Sequence, residues 1–270
     1  MKEVTIRKFP TLDYACGEAI NTLCTNISFS REDVKKIMIT SSRASEGKTF
    51  LAMNLMRSMT RLGKRVVLVD ADMRASVLTS KYWLKFQNKK ADKGLAHLLA
   101  GMAEENEILY ATDIPDAYII PIGRAVPDAL SLLMSPRFAH LMDSLDRAFD
   151  YVIVDAPPVG AVIDAAQIAK SCDGIILAVK YNSIRRQELA SVKEQLEQTG
   201  CPILGTVINQ VDYQDYVGRN YYFKSYYSNN YYKNGYGYGY GSGARNDVEA
   251  EPEEPDIGGA AGKEFNRSRK

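Results

Sequence analysis

Eight consecutive residues, Ser42-Arg43-Ala44-Ser45-Glu46-Gly47-Lys48-Thr49, have the types and spacing of a phosphate-binding loop. Backbone N–H groups around Gly47 can cradle phosphate oxygens, and a following helix N-terminus adds positive potential. Lys48 is spaced to reach the β- and γ-phosphates, and the Thr49 hydroxyl to ligate magnesium. Ser42 stands where the pattern G-x-x-x-x-G-K-[ST] has its first glycine. A glycine turn that merely caps a helix is the bland alternative. Two further segments supply carboxylates. Val66-Val67-Leu68-Val69 runs into Asp70-Ala71-Asp72-Met73-Arg74, and Tyr151-Val152-Ile153-Val154 into Asp155-Ala156-Pro157-Pro158. An apolar strand that ends in aspartate sets a carboxylate beside a nucleotide-bound cation. Alternation along an extended chain aims Asp70 and Asp72 to the same side. Magnesium needs only one or two of these groups, which leaves a carboxylate to accept a proton from an attacking hydroxyl. Either aspartate alone could equally cap a turn.

The elements that must hold these residues are legible as apolar runs. Strands are expected at 37–40, 66–69, 118–122, 151–154, 174–179 and 203–208. Each is a short continuous run, the mark of a strand covered on both faces. Helices are expected at 12–26, 50–62, 94–99, 137–149, 161–170 and 186–198, with Gly63 and Gly200 at two of the stops. Strand and helix alternate. The fold class is therefore α/β, a doubly wound, mainly parallel sheet of P-loop NTPase type with helices on both faces. Ligands bind outside the carboxyl ends of such strands, where the loop and all three aspartates lie.

Composition bounds the rest. The chain has 270 residues, 46% hydrophobic and 25% charged, enough for one full core. A net charge of +1 gives no field that points to nucleic acid. The four cysteines, Cys16, Cys24, Cys172 and Cys201, lack metal-ligand spacing and read as reduced thiols. No run approaches a membrane span or a signal peptide core, so a cytoplasmic location is expected. After Asp212 the composition changes. Eleven of the 17 tyrosines lie at 213, 216, 221, 222, 226, 227, 231, 232, 236, 238 and 240, among Asn, Ser, Gly and Lys. Without aliphatic periodicity this segment is expected to be disordered. The expected organisation is a domain at 1–212, a tyrosine-rich segment at 213–243 and a polar tail at 244–270.

Together these motifs resemble the bacterial tyrosine kinases (BY-kinases) of capsule and exopolysaccharide synthesis, in the free-standing cytoplasmic form of Gram-positive systems. Ser42 to Thr49 is similar to that family's Walker A, in which serine commonly replaces the first glycine. Val66 to Arg74 is similar to its Walker A′ motif, D-x-D-x-R after an apolar run, and Val152 to Asp155 to its Walker B. Leu132-Leu133-Met134-Ser135, after Gly123 and Pro127, resembles a linking segment of the family. The resemblance implies an ATP- and Mg²⁺-dependent protein-tyrosine autokinase. Nucleotide would be bound by Ser42, Arg43, Ala44, Ser45, Glu46, Gly47, Lys48, Thr49, Phe50 and Asn209, and metal by Thr49, Asp70 and Asp155. Lys48, Asp70 and Asp72 would be catalytic, with the base either Asp70 or Asp72. The phosphoacceptors would be Tyr221, Tyr222, Tyr226, Tyr227, Tyr231, Tyr232, Tyr236, Tyr238 and Tyr240. Asn209 could as well be a strand-ending turn residue.

The resemblance also implies partners: a membrane-bound activator with a polysaccharide co-polymerase role, a cognate phosphotyrosine phosphatase and a homo-oligomer. The activator would hold the kinase at the inner face of the plasma membrane. Family members carry an E-x-x-R-x-x-R-T-N-like motif for ring assembly. Here Glu18, Thr25 and Asn26 fit, but Asn21 and Cys24 replace the arginines, which predicts a weaker or altered interface. Two other readings compete: a partitioning or division-site ATPase of the deviant-Walker class, and a nucleotide-binding scaffold. The former carries a signature lysine one residue after the loop's first position, where this chain has Arg43, and lacks a tyrosine-rich tail.

Overall fold

The computed structural model describes residues 2–30, 33–87, 93–126, 128–160 and 163–211. Its first half runs β1 (Lys2–Ile6), α1 (Tyr14–Ser30), β2 (Lys36–Ser41), α2 (Lys48–Arg61), β3 (Val66–Asp70), α3 (Leu78–Lys81), β4 (Leu84–Phe86), α4 (Leu95–Leu99) and α5 (Glu105–Ile108). It continues through β5 (Tyr110–Thr112), β6 (Ala117–Ile120), α6 (Ala129–Leu133), α7 (Pro136–Ala148), β7 (Tyr151–Asp155), α8 (Asp164–Ala169), β8 (Gly174–Lys180), α9 (Arg186–Glu197) and β9 (Ile203–Asn209). The tyrosine-rich segment and the polar tail lie outside the described residues, as do Pro127, Ala161 and Val162.

The strands form one sheet in the order β4-β1-β5-β6-β3-β7-β2-β8-β9. From β6 to β9 every neighbouring pair is parallel. The β1–β4 and β5–β6 pairs are antiparallel. The six expected strands are all present, within a residue or two of their expected ends. The three additional strands build the far edge.

Alternation along the central strands explains the continuous apolar runs. Met38, Val67, Val69, Val152, Val154, Ile175 and Leu177 point into one core, with α4, α6, α7, α8 and α9. Ile37, Ile39, Val66, Leu68, Ile153, Ile176 and Ala178 point into the other, with α1, α2 and α3. A strand buried on both faces has no polar side to display. Each fully buried aliphatic side chain contributes about 1.5–3 kcal/mol. Helix α2 contributes Leu51, Ala52, Leu55, Met56 and Met59 to the second core, which fixes the phosphate-loop helix against the sheet. It stops where Gly63 takes φ +74°, a left-handed value that costs glycine little.

Helix α1 packs on α2. Cys24 is fully buried, and the Ser58 hydroxyl donates to Asn21 Oδ1 at 2.7 Å. The two residues that replace the family's ring arginines therefore contact the chain's own α2. All four cysteines are free thiols. No helix among the described residues is long and apolar enough to cross a membrane.

Candidate active site

The sheet order brings the chemistry to one edge. Strand β7 lies between β3 and β2, so the Walker B strand sits between the Walker A′ and Walker A strands. Asp70 and Asp155 occupy paired positions on adjacent parallel strands, and Ile39 of β2 pairs with Asp155 on its other side. The Ala71 N–H donates to the Asp155 carbonyl at 2.9 Å, which holds the A′ turn against β7.

The loop from 42 to 47 turns sharply into α2. Ser45 has φ 65° and Gly47 φ 93°. A Cβ on Gly47 would stand 1.8 Å from Asn209 Nδ2, so a side chain there would push the Asn209 amide aside as well as strain the left-handed backbone. Asn209 Nδ2 donates to the Glu46 carbonyl at 3.0 Å, and Gln210 Nε2 to the Ser45 carbonyl at 2.8 Å. The end of β9 thus clamps the loop's backbone.

Lys48 Nζ lies 2.8 Å from Asp72 Oδ2, with both side chains almost buried. Burial pulls the Lys48 ammonium down, but Asp155, Asp72 and Asp70 outweigh it and hold its pKa above the ordinary lysine value. Complete burial, with the Asp155 charge beside it, pushes Asp70 well above the usual carboxylate range, although Asp70 accepts a short hydrogen bond from the Ser76 hydroxyl. Burial raises Asp155 to about 6, with Lys48 and the Thr49 hydroxyl pulling the other way. Lys48 is the cationic side chain among these three carboxylates.

One oxygen on each of two carboxylates, Asp70 Oδ1 and Asp155 Oδ1, is buried without a hydrogen-bond partner. Two orphaned oxygens at paired strand ends suit a hard divalent cation, which takes oxygen ligands. No group of three or more His, Cys, Asp or Glu among the described residues forms a ready cage. A cation that keeps its waters and shares phosphate oxygens needs none.

Other candidate residues fall outside this cluster. Arg43 turns away: its Nε donates to Glu188 Oε1 of α9 at 2.7 Å and its Nη1 to the Ser183 carbonyl at 3.0 Å. Ala44 and Ser45 form the exposed tip, whereas the Glu46 side chain is buried. Phe50 lies in the first turn of α2, where its carbonyl accepts from Asn54. The candidate phosphoacceptors lie outside the described residues.

Sequence reasoning missed Asp164. This residue is 1% exposed and takes both Arg74 Nε, at 2.6 Å, and Arg74 Nη2, at 3.1 Å. The arginine of D-x-D-x-R is thereby clasped to the start of α8. An aspartate nine residues after Asp155 was the available signal.

Residues 34–199 match the family model of an AAA domain. Tyrosine-protein kinase CpsD of Streptococcus agalactiae is 36% identical over 204 residues, 74% of this chain and 87% of the relative. CpsD of Streptococcus pneumoniae is 37% identical over 195 residues, 72% of this chain and 84% of the relative. Tyrosine-protein kinase wzc of Salmonella typhimurium is 31% identical over 206 residues, 74% of this chain but only 28% of that longer protein. Among solved structures, the kinase domain of Escherichia coli tyrosine kinase ETK superposes with a TM-score of 0.66 and 28% identity. It covers 73% of this chain and 77% of its own. The chimerical protein CapA2B2 gives 0.68 and 29%, covering 77% and 92%. A septum site-determining protein MinD with Mg-ADP, from Pyrococcus horikoshii, is 23% identical with a TM-score of 0.57, a likeness of fold alone. With CpsD kinases 36–37% identical over more than 70% of its length, the chain belongs to the bacterial tyrosine kinases.

Proposed function

We propose that the chain transfers the γ-phosphoryl group of ATP, in a Mg²⁺-dependent reaction, to tyrosines of its own carboxyl-terminal segment, and that it serves capsular or exopolysaccharide synthesis or export. The observation that carries this reading is the contact between Lys48 and Asp72 beside two orphaned carboxylate oxygens. Lys48 and the loop N–H groups of residues 47–49 bind the phosphates, with Lys48 leaving Asp72 for the triphosphate. Asp70, Asp155 and Thr49 would hold Mg²⁺, which would supply positive charge beside the phosphates. Asp72, freed by that exchange, accepts the proton of the incoming tyrosine hydroxyl. The tyrosine oxygen bonds to the γ-phosphorus, the bond to the β–γ bridging oxygen breaks, and ADP leaves. Free tyrosine has a pKa near 10, so such a base is needed.

A domain at 1–212 carrying a tethered segment at 213–243 supplies acceptors at high local concentration. Each phosphate adds about −1.5 to −2 charges, so a modified tail repels the acidic site and loosens an assembled state. A membrane-bound activator, a cognate phosphatase and a place at the inner membrane face complete the reading. Its support is that longer kinases such as wzc are matched over only part of their length. The division-site ATPase reading is the weaker one, because Arg43 is tied within its own chain to Glu188.

Incubation with ATP and Mg²⁺, alone and with the cytoplasmic segment of a co-encoded membrane activator, tests the reading by anti-phosphotyrosine detection. Signal is expected from the full chain and none from Lys48→Met or from a chain ending at Asp212. ATP hydrolysis without phosphotyrosine in either condition contradicts it.

A further inference from the structure

Glu46 sets a negative charge inside a loop that must receive a triphosphate, and the mechanism above gives its carboxylate no task. The structure turns that carboxylate away from the loop's mouth. Glu46 is 2% exposed and Ser42 is 2% exposed. Glu46 Oε2 accepts from the Ser42 hydroxyl at 2.6 Å and from the Arg43 N–H at 2.8 Å. Its Oε1 faces the Ser183 hydroxyl at 3.2 Å and the Lys180 N–H at 3.5 Å, on the turn between β8 and α9. The Ser183 proton is shared with the Lys180 carbonyl, 2.8 Å away. The strong pair is therefore the one at Oε2, and it joins the first residue of the loop to the fifth. Ser42 occupies the position of the missing glycine. Its buried hydroxyl needs an acceptor, and Glu46 is that acceptor.

We infer that Glu46 is a positioning residue for nucleotide binding: its carboxylate closes the loop by tying Ser42 and the Arg43 N–H to residue 46, and anchors it to the β8–α9 turn. The inference rests on the reading of this loop as an ATP site. Charge and geometry predict opposite outcomes. Removing a carboxylate near a triphosphate tightens binding if charge alone counts. Removing the tie weakens binding if the loop's shape counts, because the N–H groups of residues 47–49 lose their alignment.

The test is calorimetric titration of the full chain with ATP, with and without Mg²⁺, alongside thermal unfolding of the unliganded protein. Glu46→Leu, similar in size but without acceptors, is expected to raise the Kd for ATP about tenfold at temperatures well below its Tm. Glu46→Gln can still present an oxygen to Ser42 and Arg43, and is expected to stay within about threefold of wild type. Ser42→Ala should cost less in the Glu46→Leu background than alone, since both remove one bond. Ser183→Ala is expected to weaken ATP binding slightly. If Glu46→Leu does not fold, the Ser42→Ala and Ser183→Ala titrations decide. Glu46→Leu binding ATP as tightly as wild type, or more tightly, overturns the inference while the ATP site stands. Failure of the wild-type chain to bind ATP overturns both.

Discussion

At the scale of single residues, the site holds more negative charge than a resting protein needs. Asp70 and Asp155 face each other across two strands, both buried and both with pKa values above the usual carboxylate range. A raised carboxylate pKa means the folded chain binds more protons than the unfolded chain at intermediate pH. Stability of the unliganded protein therefore falls as pH rises from the ordinary carboxylate value of 3.8 towards about 6 for Asp155, and the penalty is complete above that. Asp70→Asn replaces a buried carboxyl group, whose charged form burial disfavours, with a neutral amide that keeps an acceptor for Ser76. It should raise the Tm in a chelating buffer near pH 7.5, by about 2–4 °C for each kcal/mol relieved, while abolishing phosphotyrosine formation. A lowered Tm would mean that the carboxylate is not under strain. Asp72→Asn should reduce the rate of phosphoryl transfer by about 10²–10⁴-fold with ATP affinity within a few-fold, the signature of a lost base. Equal losses in affinity and rate would assign Asp72 to binding instead.

At the scale of elements, the site is held by contacts that cross the sequence. Arg74 reaches Asp164 over 90 positions, and Asn209 reaches Glu46 over 163. Asp164→Ala frees the turn that carries Asp72, and is expected to lower the transfer rate about 10–100-fold with little change in ATP affinity, because a misplaced base loses its geometry. Pre-steady-state measurement of transfer, beside a binding titration, separates the two effects. Leu55→Ala in α2 should destabilise the fold by about 2–5 kcal/mol by opening a cavity under the phosphate loop.

These contacts also mark how far the sequence could be read. The runs Ile37-Met38-Ile39 and Val66 to Val69 predicted their strands, because neighbouring apolar side chains serve opposite cores. The aspartates that end two such runs predicted the site. Strand β1 was not legible, since Lys2, Glu3 and Thr5 interrupt its apolar positions, and β4 and β5, with three residues each, are too short for a period. Glu46 takes its closest donors, the Ser42 hydroxyl and the Arg43 N–H, from its own loop, and only the conformation of that turn points the carboxylate back at them. Asp164 takes the Arg74 guanidinium from 90 positions away, and no local pattern encodes that. The same reason hides Asn21, whose contact with Ser58 depends on how α1 lies on α2.

At the scale of the whole molecule, the core and the acceptor segment are expected to be separable. A chain ending at Asp212 should keep its Tm and its affinity for ATP and lose its phosphotyrosine. A large fall in Tm would place residues beyond 212 within the domain. In the proposed reaction, ATP bound at the loop phosphorylates the segment that follows β9. Peptide mapping by mass spectrometry of the full chain, after incubation with ATP and Mg²⁺ and the activator's cytoplasmic segment, tests it most directly. Several phosphoryl groups per chain are expected, carried by tyrosines among 221, 222, 226, 227, 231, 232, 236, 238 and 240, and none in the Lys48→Met variant. ATP turnover that leaves all of these tyrosines unmodified would contradict it.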